Sequence, residues 1–153
     1  MILEQFIKSI FAHFVKIEPM SAYIQSIPNG VEYPCYLLNK CDINTIPLNA
    51  YFYMNTVHLY VRIFGTSEID IKNKSFKLIQ SIFEDYRKIP ILERDGTETE
   101  RFIRIENIES IDIPVDENDV YCVEINFNFD TTHNVSVEEF DLLGQIYSNA
   151  SFN

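Results

Sequence analysis

The sequence has no tryptophan, four glycines, three cysteines, and twelve basic residues against 23 acidic ones. Each shortage removes a class of function. The glycines stand apart, at positions 30, 65, 96 and 144. No glycine-rich loop, G-x-G-x-x-G fingerprint or G-x-S-x-G nucleophile elbow can be built from them. A net charge of −11 argues against a basic face for DNA or RNA, because phosphates would be repelled and no cations released. The same acidity suits a wall that DNA passes without sticking. No apolar run approaches the roughly 18 residues that a membrane span needs, so no membrane partner is expected. The opening MILEQFIKSIFAHF carries Glu4, Gln5, Lys8 and His13 inside its apolar run, unlike the uninterrupted core of a signal peptide. Cys35, Cys41 and Cys122 are an odd count without a secretory segment, which predicts reduced thiols in a cytosolic chain.

Clusters that could carry chemistry are also missing. Cys35 and Cys41 lack a usual zinc spacing, and Cys41 has Asp42 beside it but no activating base, so it reads as an inert thiol. His13, His58 and His133 fall on different elements, with no second ligand at metal spacing. His58 reads as a sheet histidine with its hydrogen bonds met. The acidic run Asp116 to Asp119 lacks the interleaved spacing of a calcium loop and reads as a solvated turn. No catalytic residue, metal or cofactor is therefore expected, and the chain is not read as an enzyme.

What is present is a chain of 153 residues, 46% hydrophobic, with 12 Phe and 9 Tyr. That is enough for one domain with a core of its own. Ile2, Leu3, Phe6, Ile7, Ile10, Phe11 and Phe14 recur at helical spacing, and Pro19 closes the pattern. Pro28-Asn29-Gly30 is turn chemistry. Tyr33 to Leu38 reads as a short strand opened by Pro34, followed by an irregular polar connection, CDINTIPLN. A long strand, 50–64, comes next, about 14 residues where strands usually run about 5–6. Its faces alternate: Tyr53, Val57, Leu59, Val61 and Ile63 on one, Phe52, Met54, His58, Tyr60, Arg62 and Phe64 on the other. A second helix is expected from Asp70 to Lys88, on the period of Ile71, Phe76, Ile79, Ile82, Phe83 and Tyr86, with Arg87 and Lys88 at its C-terminal end.

Strands return after Pro90. Ile91-Leu92-Glu93 before Asp95-Gly96 signals a hairpin. Apolar residues at 103, 105, 108, 111 and 113 slip twice from strict alternation, which predicts a bulge near Asn107 to Ser110. Tyr121, Val123, Ile125, Phe127 and Phe129 alternate cleanly. Residues 1–130 thus read as a single α+β domain, and 131–153 as a C-terminal arm or short helix, with Ser136 and Glu139 spaced as a capping box. The fold expected is an antiparallel or mixed β-sheet with a long hairpin-like ribbon, covered on one face by an N-terminal and a central helix. That leaves an aromatic and methionine-bearing second face, larger than monomers usually expose. Phe52, Met54, Tyr60 and Phe64 are therefore candidate contacts with another subunit or a tube. Lys72, Lys74 and Lys77, with Arg87 and Lys88, give a local basic face that could meet an acidic neighbour, including a second copy.

The order of these elements resembles a known family. An amphipathic helix, a turn, Pro34-Cys35-Tyr36-Leu37-Leu38, a long strand ending Val61-Arg62-Ile63-Phe64-Gly65, one helix and a strand meander are similar to the tail terminator, or tail completion, proteins of tailed bacteriophages and phage-tail-like particles. The likeness covers most of residues 1–130. The crossover here, DINTIPLNAY, is less basic than is usual in that family. The resemblance implies a virion structural protein, assembled in the bacterial host cytoplasm, that forms a hexameric ring on the last ring of the tail tube. It would stop polymerisation there and form the collar junction. Its partners would be the tail tube protein, a head–tail connector and, where the tail is contractile, the sheath protein, with DNA only as passing cargo. Two other readings fit the residues: a head–tail connector or tail tube protein, and an acidic cytosolic module that binds or inhibits a basic partner.

Overall fold

Phe6, Ile7, Ile10, Phe11 and Phe14 lie on one side of a helix, α1 (Leu3–Ile17), and all five are buried. They pack against a single six-stranded sheet curled into a half-barrel. A computed structural model describes residues 3–24, 26–115 and 119–134 of the chain. The strands are β1 (Ser21–Tyr23), β2 (Cys35–Pro47), β3 (Phe52–Gly65), β4 (Lys88–Leu92), β5 (Glu98–Ile113) and β6 (Tyr121–Asn134), and α2 (Glu68–Glu84) lies between β3 and β4. Their order in the sheet is β1-β2-β3-β6-β5-β4. All pairings are antiparallel except β1 with β2, so the sheet is mixed and the domain is α+β. Val57, Leu59, Val61 and Ile63 of β3 and Val123, Ile125, Phe127 and Phe129 of β6 face the helices and are buried. Period-two alternation delivers this result, because each strand is apolar on the helix-bearing face.

Specific bonds fix α1 on the sheet. Gln5 Nε2 donates to the Leu92 carbonyl at 2.8 Å, and the Leu92 N–H donates to Ser9 Oγ at 2.9 Å. At the other end of α1 the buried Tyr36 hydroxyl donates to the Glu18 carbonyl at 2.9 Å. Rings fill the space between: Phe14 meets Tyr36 at 6.0 Å and Phe127 at 5.8 Å, and Phe6 meets Phe129 at 5.6 Å.

Several expectations are corrected. The stretch expected as an irregular connection after Leu38 is strand: β2 runs on to Pro47 and pairs with β3 from Cys35↔Phe64 to Pro47↔Tyr53. Its polar side chains hid it, because they face solvent on both sides rather than alternating. The turn is held by Asn49, whose Oδ1 accepts from the N–H groups of Tyr51 and Phe52 at 2.8 and 3.0 Å. The bulge in β5 falls between Ile105 and Asn107, just before the expected place. β6 continues to Asn134, past the boundary expected at 130. The remainder of the tail, with Ser136 and Glu139, and most of the acidic run after Val115 lie outside the described residues.

The second helix also differs. It begins at Glu68, capped by Ser67, whose Oγ accepts from the Asp70 N–H at 3.3 Å, and it ends at Glu84. Tyr86 and Arg87 then take positive φ, 56° and 62°, which breaks the helix and turns the chain into β4. Lys88 is a strand residue, so neither basic residue serves the end of the helix. The buried stripe is Ile71, Ser75, Leu78 and Ile82; Phe76 and Phe83, expected in the core, are 70% and 55% exposed.

α2 leaves β3 at Gly65, where a Cβ would collide with the side chain of buried Ile71. Gly65→Ala is expected to destabilise the domain by about 1–3 kcal/mol through overpacking, read as a lower denaturant midpoint at unchanged m-value.

Candidate assembly surface

From Ile43 to Val61 there is no Asp, Glu, Lys or Arg, in a chain of which 23% is charged. The structure gives this run a shape. Beyond Val57 in β3 and Phe129 in β6, the sheet narrows to the ends of β2, β3 and β6, paired as far as Pro47↔Tyr53 and Phe52↔Asn134. Burial stops there: β2 is exposed from Ile43 to its end, and Ile43, Leu48 and Tyr51 are each about half exposed. We refer to this projection as the arm. Ile46 and Phe52 are also exposed on it, and Met54 is half-buried. The β2–β3 hairpin of this arm is uncharged and exposes Ile43, Ile46, Leu48, Tyr51 and Phe52, with Asp130 on the β6 strand beside it; such a tip on an acidic protein is a surface suited to burial against a partner. The uncharged run was visible in the sequence, but its first half read as a connection and its second as a strand, so the arm as a unit was missed.

The seven residues singled out in the sequence separate in the structure. Phe52 and Met54 are on the arm. Tyr60 is further along β3, on the open face of the sheet, where it stacks on His58 with ring centroids 5.2 Å apart and lies under the Lys40 ammonium at 5.7 Å. Phe64 is at the far end of the same strand. It lines a groove of about 590 Å³ with Ile27, Pro28, Val31, Val115 and Val120. Lys72 pairs with Glu68 at 2.9 Å and Asp112 at 3.3 Å, Lys74 with Glu18 at 3.4 Å and Asp70 at 3.6 Å, and Lys77 with Glu18 at 3.1 Å. The chain's own carboxylates thus engage all three lysines. Arg87 and Lys88 do not join them: Arg87 donates to the Glu106 carbonyl, and Lys88 sits over the Phe102 ring.

The open face is more polar than its aromatic residues suggested. Arg62 Nε donates to Glu124 Oε2 at 2.9 Å, with Glu124 nearly buried. Thr56 donates to Asp130 at 2.7 Å, and Lys40 pairs with Asp42 at 3.2 Å. Two basic residues on this face, Lys40 and Arg62, are therefore matched by carboxylates. Asn126 and Asn128 each bury a side-chain oxygen without a donor among the described residues. Such an acceptor costs roughly 1–3 kcal/mol.

Among the described residues no group of three or more His, Cys, Asp or Glu is placed to hold a metal ion, and no helix is long and apolar enough to cross a membrane. The thiols are quiet. Burial pushes Cys35 up, burial and then Asp42 raise Cys41, and burial raises Cys122 to about 11.

No protein-family model matches the chain, and no curated protein matches it. A solved structure does: a chain of the virion of a native gene transfer agent particle, with a TM-score of 0.51 and 7% identity, over 83% of this chain and 91% of that one. The two chains share a fold. At 7% identity the likeness is one of backbone layout, and it extends over nearly the whole of each chain.

Glu18 joins the end of α1 to α2. Burial works against its ionised form, but the Lys77 and Lys74 ammoniums outweigh that and hold its carboxyl below the usual range. A lowered folded-state pKa contributes stability above the unfolded value, near 4.5, and loses it as pH falls through the folded pKa. Glu18→Gln should cost about 1–2 kcal/mol at neutral pH and flatten that part of the acid limb, measured by urea unfolding between pH 3 and 7.

Proposed function

We propose that this chain is a structural protein of a phage-like tail, caps the tail tube as a ring, and has no catalytic role. The observation that carries the reading is the uncharged β2–β3 hairpin of the arm, projecting from a domain that has its own closed core on the helix-bearing face. A domain with no need of a partner for its core still exposes Ile43, Ile46, Leu48, Tyr51 and Phe52 on this hairpin, which suits assembly. The fold shared with a gene transfer agent virion chain supports a place in a virion or tail-like particle. The layout of helix, long ribbon, helix and strand meander resembles that of the tail terminator family; tube proteins share a related layout, and the two differ in whether assembly stops at a ring. In this reading the ring is a hexamer built in the bacterial host cytoplasm. It sits on the last ring of tube protein and meets a connector or collar on its other side, and a sheath ring where the tail contracts. DNA passes through without being held, because a chain of net charge −11 repels phosphates, and Lys40 and Arg62 of the open face are paired with carboxylates.

The test is the mass of the purified protein by light scattering across a concentration series, then addition of preformed tail tubes. A ring in solution, or one that forms on tube ends and halts their growth, is the expected result. Open filaments would identify a tube protein instead, because a heterologous contact that does not close propagates. A monomer indifferent to tubes would overturn the proposal. Leu48→Ser with Phe52→Ser should abolish capping while leaving unfolding free energy within about 0.5 kcal/mol, as expected of exposed positions.

A further inference from the structure

The arm has a counterpart on the same chain. The groove around Phe64 is bordered by nine described residues, none of them charged, with Ile27, Pro28, Val31, Val115 and Val120 among them. Arm and groove stand at opposite ends of β3, Phe52 at one and Phe64 at the other. Twelve residues of extended strand separate them by roughly 40 Å, and the arm is held straight by pairing on both sides of β3. A chain therefore cannot place its arm in its own groove.

We infer that the arm tip, around Leu48, docks in the Phe64 groove of a second copy. Three observations favour a second copy over another occupant. Both surfaces present apolar side chains, Leu48, Tyr51 and Phe52 at the arm tip and Ile27, Val31, Val115 and Val120 in the groove. The β2–β3 hairpin at the arm tip and the nine residues that line the groove carry no charge, in a chain of net charge −11, and Asp130 lies back along the arm, opposite Thr56, so the tip can meet the groove without bringing like charges together. And they occupy opposite ends of one rigid strand, so each copy can give an arm to one neighbour and take an arm from another. That is a heterologous contact, which closes into a ring when the rotation between neighbours returns the last arm to the first groove. The contact stands on these surfaces alone; only its closure into a ring rests on the proposed function.

Asn29 borders the groove and Leu48 is at the arm tip, and both are exposed. In a Cys41→Ser background, with Cys35 and Cys122 buried, Leu48→Cys and Asn29→Cys are made singly and together. The full-length protein is treated with a short bismaleimide at concentrations where light scattering shows an oligomer. The double variant should give a ladder of linked species up to the full oligomer, while either single variant alone stays unlinked. Because both positions are exposed, circular dichroism should match the parent. Dimers from Leu48→Cys alone would show arm against arm and overturn the inference. An oligomer that no variant links would overturn it too, while leaving the ring itself standing. A monomer under all conditions, with and without tubes, would remove both.

Discussion

The Tyr36 side chain holds the two layers of this domain together. It rises from the start of β2, packs against Phe11 and Phe14 of α1, and gives its hydroxyl proton to the Glu18 carbonyl just past the helix end. Burial pushes that phenol well above its usual range, so it stays a donor at any ordinary pH. Its place depends on β2 being in register with β3, and β3 with β6, because Phe127 closes the same cluster from the other side. Glu18, fixed by the same contact, receives Lys74 and Lys77 from α2. One aromatic cluster with one hydrogen bond thus orients both helices against the sheet.

With the core satisfied on that side, the rest of the sheet is released for other use. The strands continue past the last helix contact because β2, β3 and β6 pair with one another, and a three-stranded ribbon needs no layer beneath it to satisfy its inner backbone groups. The chain keeps its charges off the β2–β3 hairpin from Ile43 onward and leaves Asp130 on β6 as the carboxylate of the ribbon. For a protein of net charge −11, that partition sets where contact with another such surface costs least. On the open face, Lys40 and Arg62 are matched by Asp42 and Glu124. The exposed aromatic residues of α2, Phe76 and Phe83, add an apolar stripe on the outer side of the domain.

The elements with strong periodicity were legible from the residues. The α1 stripe, the clean alternation of β6, the hairpin at Asp95-Gly96 and the length of β3 all follow from local pattern, because each buries one regular face. The second half of β2 was not legible, since a strand exposed on both faces has no alternation to show. Phe76 and Phe83 misled for the opposite reason: they are apolar at helical spacing, but the helix turns Ile71, Leu78 and Ile82 inward instead. The lysines of α2 read as a free basic face because their partners, Glu18 and Asp112, are far away in sequence.

The sequence by itself determined the class of the domain, the two helices, the unusual strand and the absence of recognisable catalytic motifs. These depend on residue type and spacing within a dozen or so positions. Tertiary structure alone decided which surfaces remain: that the polar stretch after Cys41 is half of an arm, that the lysines are spoken for, and that Phe64 lies in a groove at the far end of the strand from Phe52. The reason is physical. Burial and ion pairing are set by which distant segments pack together, and side chains 50 or more residues apart meet only once the sheet has curled around α1.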